Sequence, residues 1–172
     1  MKVKSLRALA CLGVLILGVT LIMGCGGGAV EAPPTSHFEA GGVSFDYPST
    51  WDTLTSDDPS RIAYFSEVET GTVVQVMKND MPADFTLKTY HDNMTIQLME
   101  GQPIWGKSLT VAGVIAYETG FNTSIDNQDW QMRLVSFEKG GKVYDIAFAT
   151  VPASFDEANE DFDTVINSFE VQ

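Results

Sequence analysis

Hydrophobic and polar positions change period several times along this chain, and each change predicts an element. Residues 37–48 alternate, with Val43, Phe45 and Tyr47 on one side and Ser44 and Asp46 on the other. That two-residue period predicts a half-buried strand, closed by Pro48-Ser49-Thr50. Residues 62–66 and 72–78 predict a hairpin turning through Glu69-Thr70-Gly71. From Thr86 to Met99 the period lengthens: Leu87, Tyr90, Met94 and Leu98 recur at helical spacing, with Asp84 or Thr86 as cap and Gly101-Gln102-Pro103 as stop. Strands follow at 107–111 and 114–122, turning at Ala112-Gly113, then a hairpin of 130–138 and 142–151 around Lys139-Gly140-Gly141. Ser154 and Glu157 have the spacing of a capping box. The helix it opens presents Phe155, Ala158, Phe162, Val165 and Ile166 on one face, and Phe169 and Val171 predict a last short strand. Short links between successive strands imply antiparallel pairing. The expected fold is α+β: a meander sheet of six or seven antiparallel strands with packed helices, and no internal repeat or second domain.

The first 24 residues break this pattern. Lys2, Lys4 and Arg7 precede a nearly continuous apolar run from Ala8 to Met23. A basic head and an apolar core read as an export signal, and the run is short for a membrane span and weakened by Gly13 and Gly18. Leu21-Ile22-Met23-Gly24-Cys25 resembles the lipobox of bacterial lipoproteins. The resemblance implies cleavage before Cys25, a diacylglyceryl thioether on its sulfur and an acylated amine. Several acyl chains hold a protein on a membrane where one is marginal. Residues 26–36, GGGAVEAPPTS, then read as a solvated linker and residues 37–172 as the folded domain.

Charge refines the picture. The 172 residues carry 10 Lys and Arg against 23 Asp and Glu, a net −13. Cleavage would remove 24 residues, three cations and no acid, leaving 148 residues at −16. Such a chain is not built to neutralise phosphates, which excludes nucleic-acid binding. It would also stand off an anionic bilayer, with the lipid acting as a tether. Cys11 leaves with the signal and Cys25 is the lipidation residue, so the mature domain has no disulfide and relies on its core. About 150 residues suffice, since a domain of that size buries roughly 68–70% of its unfolded surface.

Three segments carry a second resemblance. Gly42-Val43-Ser44-Phe45-Asp46-Tyr47-Pro48-Ser49-Thr50-Trp51 is similar to the opening of the PsbP/Mog1-like superfamily. Val111-Ala112-Gly113-Val114-Ile115-Ala116-Tyr117 resembles its hairpin, and Val165-Ile166-Asn167-Ser168-Phe169-Glu170-Val171 its terminus. The resemblance implies an α/β/α sandwich with an antiparallel sheet, and binding or assembly work rather than a shared catalytic set. That superfamily includes a photosystem II accessory subunit, a partner of the Ran GTPase and bacterial lipoproteins. The signatures of the first two are missing, so neither role is carried over.

Chemical motifs are few. Gly101-Gln102-Pro103-Ile104-Trp105-Gly106-Lys107-Ser108 matches a phosphate-loop pattern in letters, but a helix precedes it and a strand follows, the reverse of what phosphate binding needs. No nucleotide is expected. His37 and His91 are the only histidines; His91, beside Tyr90, is read as a solvated surface residue. Two histidines and no free thiol argue against zinc. Asp156, Glu157, Glu160, Asp161 and Asp163, with Asp126 and Asp129 near a turn, raise a calcium reading, but no calcium loop is present and a solvated acidic face is preferred. Trp51, Trp105 and Trp130 could line a groove with Tyr64 or Tyr117, the core being the simpler place for them.

The expectation is therefore a lipid-anchored, extracytoplasmic, non-enzymatic binding or assembly module with an unidentified protein partner. It has no catalytic residue, no cofactor and no metal site, and Cys25 is its modified residue. The alternative is a small-solute or calcium-binding lipoprotein; a hydrolase built on His91 comes last. Gly26 follows Cys25 where an aspartate would favour inner-membrane retention, so an outer-membrane place is expected in a two-membrane envelope. In a one-membrane envelope the domain faces outward.

Overall fold

The computed structural model describes residues 34–98 and 103–172. The segment read as an export signal, Cys25 and most of the stretch read as a linker lie outside them. The alternating stretch at 37–48 is not one strand but an antiparallel hairpin of β1 (Thr35–Ala40) and β2 (Val43–Pro48). Gly41 and Gly42 both take positive φ, 62° and 80°, which makes the tight reversal that alternation alone does not reveal. β1 takes in Thr35 and Ser36 of the stretch read as linker.

The next elements are β3 (Asp52–Thr53), β4 (Arg61–Glu67), β5 (Thr72–Asp80) and α1 (Leu87–Leu98). β6 (Trp105–Val111), β7 (Val114–Ile125), β8 (Gln128–Lys139) and β9 (Lys142–Thr150) form an antiparallel meander. A 3₁₀ turn at Pro152–Ser154 leads into α2 (Phe155–Ser168) and β10 (Glu170–Val171). Seven strands form one sheet in the order β3-β4-β5-β9-β8-β7-β6, and β1-β2-β10 form a second. The α+β reading holds, with one long-range feature: β5 pairs with β9, so the excursion through α1 carries the chain out to the edge strand β6.

The two faces of the seven-stranded sheet differ. One receives α2 and the small sheet around Val43, Phe45, Phe65, Val74, Ile146, Phe148, Phe162 and Phe169, all fully or nearly fully buried. The other receives α1 over a smaller cluster of Phe121, Met132, Leu134 and Ala147. Burial on both sides makes residues 132–137 of β8 continuously buried.

α2 buries the five residues its pattern predicts. The capping box does not form: Ser154 makes no side-chain cap hydrogen bond, and the 3₁₀ turn supplies the entry instead through the Phe155 N–H to Pro152 carbonyl bond.

α1 departs from its pattern. Its buried residues are His91 and Thr95, while Tyr90 and Met94 are half-buried and Leu98 is exposed. The buried pair is the predicted stripe moved on by one residue, or about 100° of rotation. The reading of His91 as a surface residue is therefore wrong: it is 2% exposed. The cause lies in the sheet, which offers this helix Thr119, Ser136 and Asp145 to bond with.

Candidate functional site

The α1 face carries the densest polar chemistry. His91 Nε2 lies 2.8 Å from Thr119 Oγ1 on β7, and Nδ1 lies 2.9 Å from Ser136 Oγ on β8. The Ser136 hydroxyl donates to Asp145 Oδ1 on β9 at 2.6 Å, and the Tyr90 hydroxyl donates to Oδ2 at 2.6 Å. Ser136, Asp145 and Tyr117 face this side because adjacent strands keep residues 117, 136 and 145 in register. With Ser136 donating to the carboxylate, its oxygen accepts from Nδ1–H of His91. Nε2 is then the acceptor for Thr119. The imidazole is neutral, with its tautomer set by its neighbours.

Burial is the main cause of every shift here. It pushes His91 down to about 4, the nearby Asp92 and Lys88 adding smaller, opposed effects. It raises Asp145 above the usual aspartate value against the two hydroxyl bonds that hold it down. It raises Tyr90 too, reinforced by Asp145. Ser136 stands between His91 and Asp145 and is fully buried. A nucleophilic triad needs the histidine in the middle and the serine open to substrate, and this arrangement has neither.

Beside the network lies a groove of about 300 Å³ between α1 and edge strand β6, lined by Lys88, Asp92, Ser108, Tyr117 and Thr119, with Gly106 as part of its wall. Gly106-Lys107-Ser108, the end of the phosphate-loop match, lies within β6 and not at a helix N-terminus; Gly101 and Gln102 are outside the described residues.

The opposite face holds a buried ion cluster. Arg133 Nε and Nη2 both lie 2.5 Å from Glu118 Oε1, and Nη2 also reaches Asp163 on α2 at 2.8 Å. Nη1 donates to Asn159 Oδ1 at 2.6 Å, and the guanidinium stands 4.5 Å over the Phe162 ring. Lys107 Nζ approaches the other Glu118 oxygen at 3.0 Å, an ion pair without hydrogen-bond geometry. Glu118 and Arg133 thus fix α2 to the sheet, two residues to which sequence reasoning assigned no role.

The remaining candidates separate. His37 forms an exposed pair with Asp46 at 2.7 Å. Among the acids, Asp163 is taken by Arg133, and Asp126 with Asn127 makes the positive-φ turn between β7 and β8. Asp161 is raised by partial burial and then by Glu67, Glu160 and Glu157. Among the described residues no three His, Cys, Asp or Glu side chains converge as a metal cage. Trp51 belongs to the main core. Trp105 is half-buried, its ring filling the space that a Cβ on Gly120 would need. Register places Trp105 and Tyr117 on opposite faces of the sheet. Trp130 and Tyr64 do come together, in a shallow cavity of about 230 Å³ over Val73, Gln75, Met132, Ala147 and Ala149. It lies on the part of the sheet that α1 leaves open, and none of these residues is charged.

The family profile of PsbP-like proteins matches residues 31–171, almost the whole of the domain. The chain belongs to the PsbP-like protein family. The fold of this PsbP-like chain is similar to the solution structure of cyanobacterial PsbP from Synechocystis (17% identity over 84% of this chain and 96% of that one, TM-score 0.61). It is also similar to the Ran-binding protein Mog1p of Saccharomyces cerevisiae (10% identity, 81% and 96% covered, TM-score 0.59). LpqN of Mycobacterium tuberculosis, a protein involved in cell envelope biogenesis, shares it as well (11% identity, 83% and 87% covered, TM-score 0.58). At these identities the likeness is one of fold. No curated protein matches the chain.

Proposed function

We propose that this PsbP-like chain is a non-enzymatic binding or assembly module, tethered by lipid at Cys25 on the outer side of a membrane. The observation that carries the binding role is the open cavity between Tyr64 and Trp130 on the α1 side, lined by uncharged side chains, with the Arg61 guanidinium over the Tyr64 ring at its edge. Tyr64, Val73, Gln75 and Trp130 are half-buried there, and Ile125 beside them is 53% exposed. Apolar sheet surface of this kind, rimmed by polar residues, marks interaction sites. The chain as a whole carries net charge −13, so a cavity without carboxylates in its lining offers a partner contact with none to desolvate. The tether rests on the lipobox-like segment before Cys25. Among the fold relatives, Mog1p is named for binding a protein and LpqN for envelope biogenesis, which agrees with binding work in general and leaves the partner open.

The test is photo-crosslinking in intact cells of the source organism, with the probe at Tyr64 or Trp130 and, as control, at Glu160 on α2. One protein captured from the first two positions and not the third is expected. Equal capture from all three, or none, overturns the reading. Cys25→Ser tests the tether separately: the protein is expected to move from the membrane to the soluble exported fraction. A second reading, small-solute binding, is favoured by the cavity between Tyr64 and Trp130. It predicts that an uncharged solute raises the melting temperature and that Trp130→Ala abolishes the rise.

A further inference from the structure

The groove beside α1 and the buried carboxylate behind it are joined by an unbroken run of hydrogen bonds. From the groove inward it passes from Thr119 Oγ1 to His91 Nε2 (2.8 Å), from His91 Nδ1 to Ser136 Oγ (2.9 Å), and on to Asp145 Oδ1 (2.6 Å). Each middle member can give one proton and take another: a hydroxyl does so by rotation, an imidazole by exchanging tautomers. Thr119 lines the groove and is half-buried, whereas His91, Ser136 and Asp145 are at most 2% exposed. Tyr90, on the far side of Asp145, closes that end with its own hydroxyl.

We propose that Thr119, His91, Ser136 and Asp145 form a proton wire through which the buried carboxylate takes up a proton from the groove, His91 changing tautomer as it does so. With Asp145 ionised, Thr119 O–H donates to Nε2, Nδ1–H donates to Ser136, and Ser136 O–H donates to Asp145. On acidification each of these three protons moves one place inward in concert. The Thr119 proton passes to Nε2, the Nδ1 proton to Ser136 Oγ, and the Ser136 proton to Asp145 Oδ1, while Thr119 takes one proton from groove water. The product holds a neutral carboxyl, a neutral imidazole protonated at Nε2, and a Thr119 hydroxyl whose hydrogen is free to turn into the groove. One proton has been added and no bond is left unmade.

The competing way to hold that proton is an imidazolium beside a carboxylate. That places two charges in a buried site, whereas the inverted wire places none, and burial penalises charge. The other charged or titratable groups around His91 are Lys88, Tyr90 and Asp92 on α1, Tyr117 and Glu118 on β7 and Lys107 on β6; β8 offers only the Ser136 hydroxyl. Glu118 is engaged by Arg133 and Lys107. The consequence is at the groove. Thr119 faces it as an acceptor at neutral pH and as a donor in acid, so the groove favours ligands bearing acceptor oxygens only after proton uptake.

Nitrogen-15 NMR of the whole chain reads the imidazole directly, with His37→Gln assigning His91, the only other histidine. Protonation at Nδ1 is expected above the transition and at Nε2 below it, with a neutral ring on both sides and one midpoint. An unchanged tautomer, or a doubly protonated ring at that midpoint, overturns the proposal. Tyr90→Phe removes a bond that favours the ionised carboxylate and is expected to raise the midpoint; an unmoved midpoint shows that Asp145 is not the acceptor. Ser136→Ala is expected to uncouple the tautomer from pH, and a tautomer that still follows pH in this variant shows that the wire is not the path.

Discussion

α1 and α2 lie on opposite faces of one sheet and are held by opposite means. α2 inserts Phe155, Phe162, Val165 and Ile166 into a continuous apolar core, then supplies Asn159 and Asp163 as partners to the buried Arg133 of β8. α1 inserts a histidine bonded to the Ser136 and Thr119 hydroxyls and a threonine bonded to the His91 carbonyl of its own helix, and leaves its apolar residues half-covered or exposed. The lesson is that one sheet can specify two kinds of interface. Side chains alternate across the strand, so Arg133, Val135 and Phe137 serve one helix while Met132, Leu134 and Ser136 serve the other. Hydrophobic burial is non-directional and scales with area, whereas hydrogen bonding is directional and contributes little net stability. α2 should therefore dominate stability, and α1 should respond to pH.

The largest effect is expected at Phe162, which is fully buried and packed on Phe148 at 4.9 Å. Phe162→Ala should cost about 3–5 kcal/mol in chemical denaturation. Glu118→Ala should cost a similar ~3–5 kcal/mol because it leaves Arg133 buried with one partner fewer. The double variant Glu118→Leu with Arg133→Met should recover most of that loss. If both single changes cost less than His91→Ala, the ranking of the two interfaces is wrong.

His91→Ala should cost about 1–3 kcal/mol, since it takes from buried Ser136 the donor at its oxygen and from Thr119 its acceptor. The same variant should show a different acid profile. Between about pH 6.5 and pH 4 the unfolded chain protonates His91 while the folded chain does not, so the wild type loses stability as pH falls through that window. Asp145 acts in the opposite sense: its raised pKa means the folded state binds that proton first, which offsets part of the loss. Removing His91 abolishes the first effect and keeps the second, while the other groups of the chain, such as Asp58 with its lowered pKa, titrate as before. Urea midpoints measured across this window should therefore fall less steeply in the variant than in the wild type.

The smallest effect is expected at Ser154. A working cap contributes ~1 kcal/mol, but this one makes no side-chain bond, so Ser154→Ala should change stability by less than about 0.5 kcal/mol. A loss near 1 kcal/mol would show that the capping box operates in solution.

The fold was legible wherever period and face coincide. α2 is the clearest instance: Phe155, Ala158, Phe162, Val165 and Ile166 share one face and are all buried, while Asp156, Glu157 and Glu160 are exposed. The hairpins around Ala112-Gly113 and Gly140-Gly141 were legible from turn chemistry. Gly41-Gly42 carried the same signal but lay inside an alternating run that reads as one strand. The candidate site was largely illegible. Its one visible sign was charge inside largely apolar strands: Asp145 in β9 and Arg133 in β8 lie within continuously buried segments. A buried charge implies a partner, yet nothing in the order of residues says which one.

By itself the sequence determines the class of this protein: an α+β, antiparallel, strongly acidic domain, with one helix whose apolar face is set locally. These properties follow from composition and short-range period, which act within a few residues. The tertiary structure decides that β5 joins β9 across an excursion of more than sixty residues. It also decides that α1 turns its polar pair inward, and that Thr119, His91, Ser136 and Asp145 meet. Those outcomes depend on which groups three neighbouring strands present to a helix, and register between distant strands exists only once the sheet has formed.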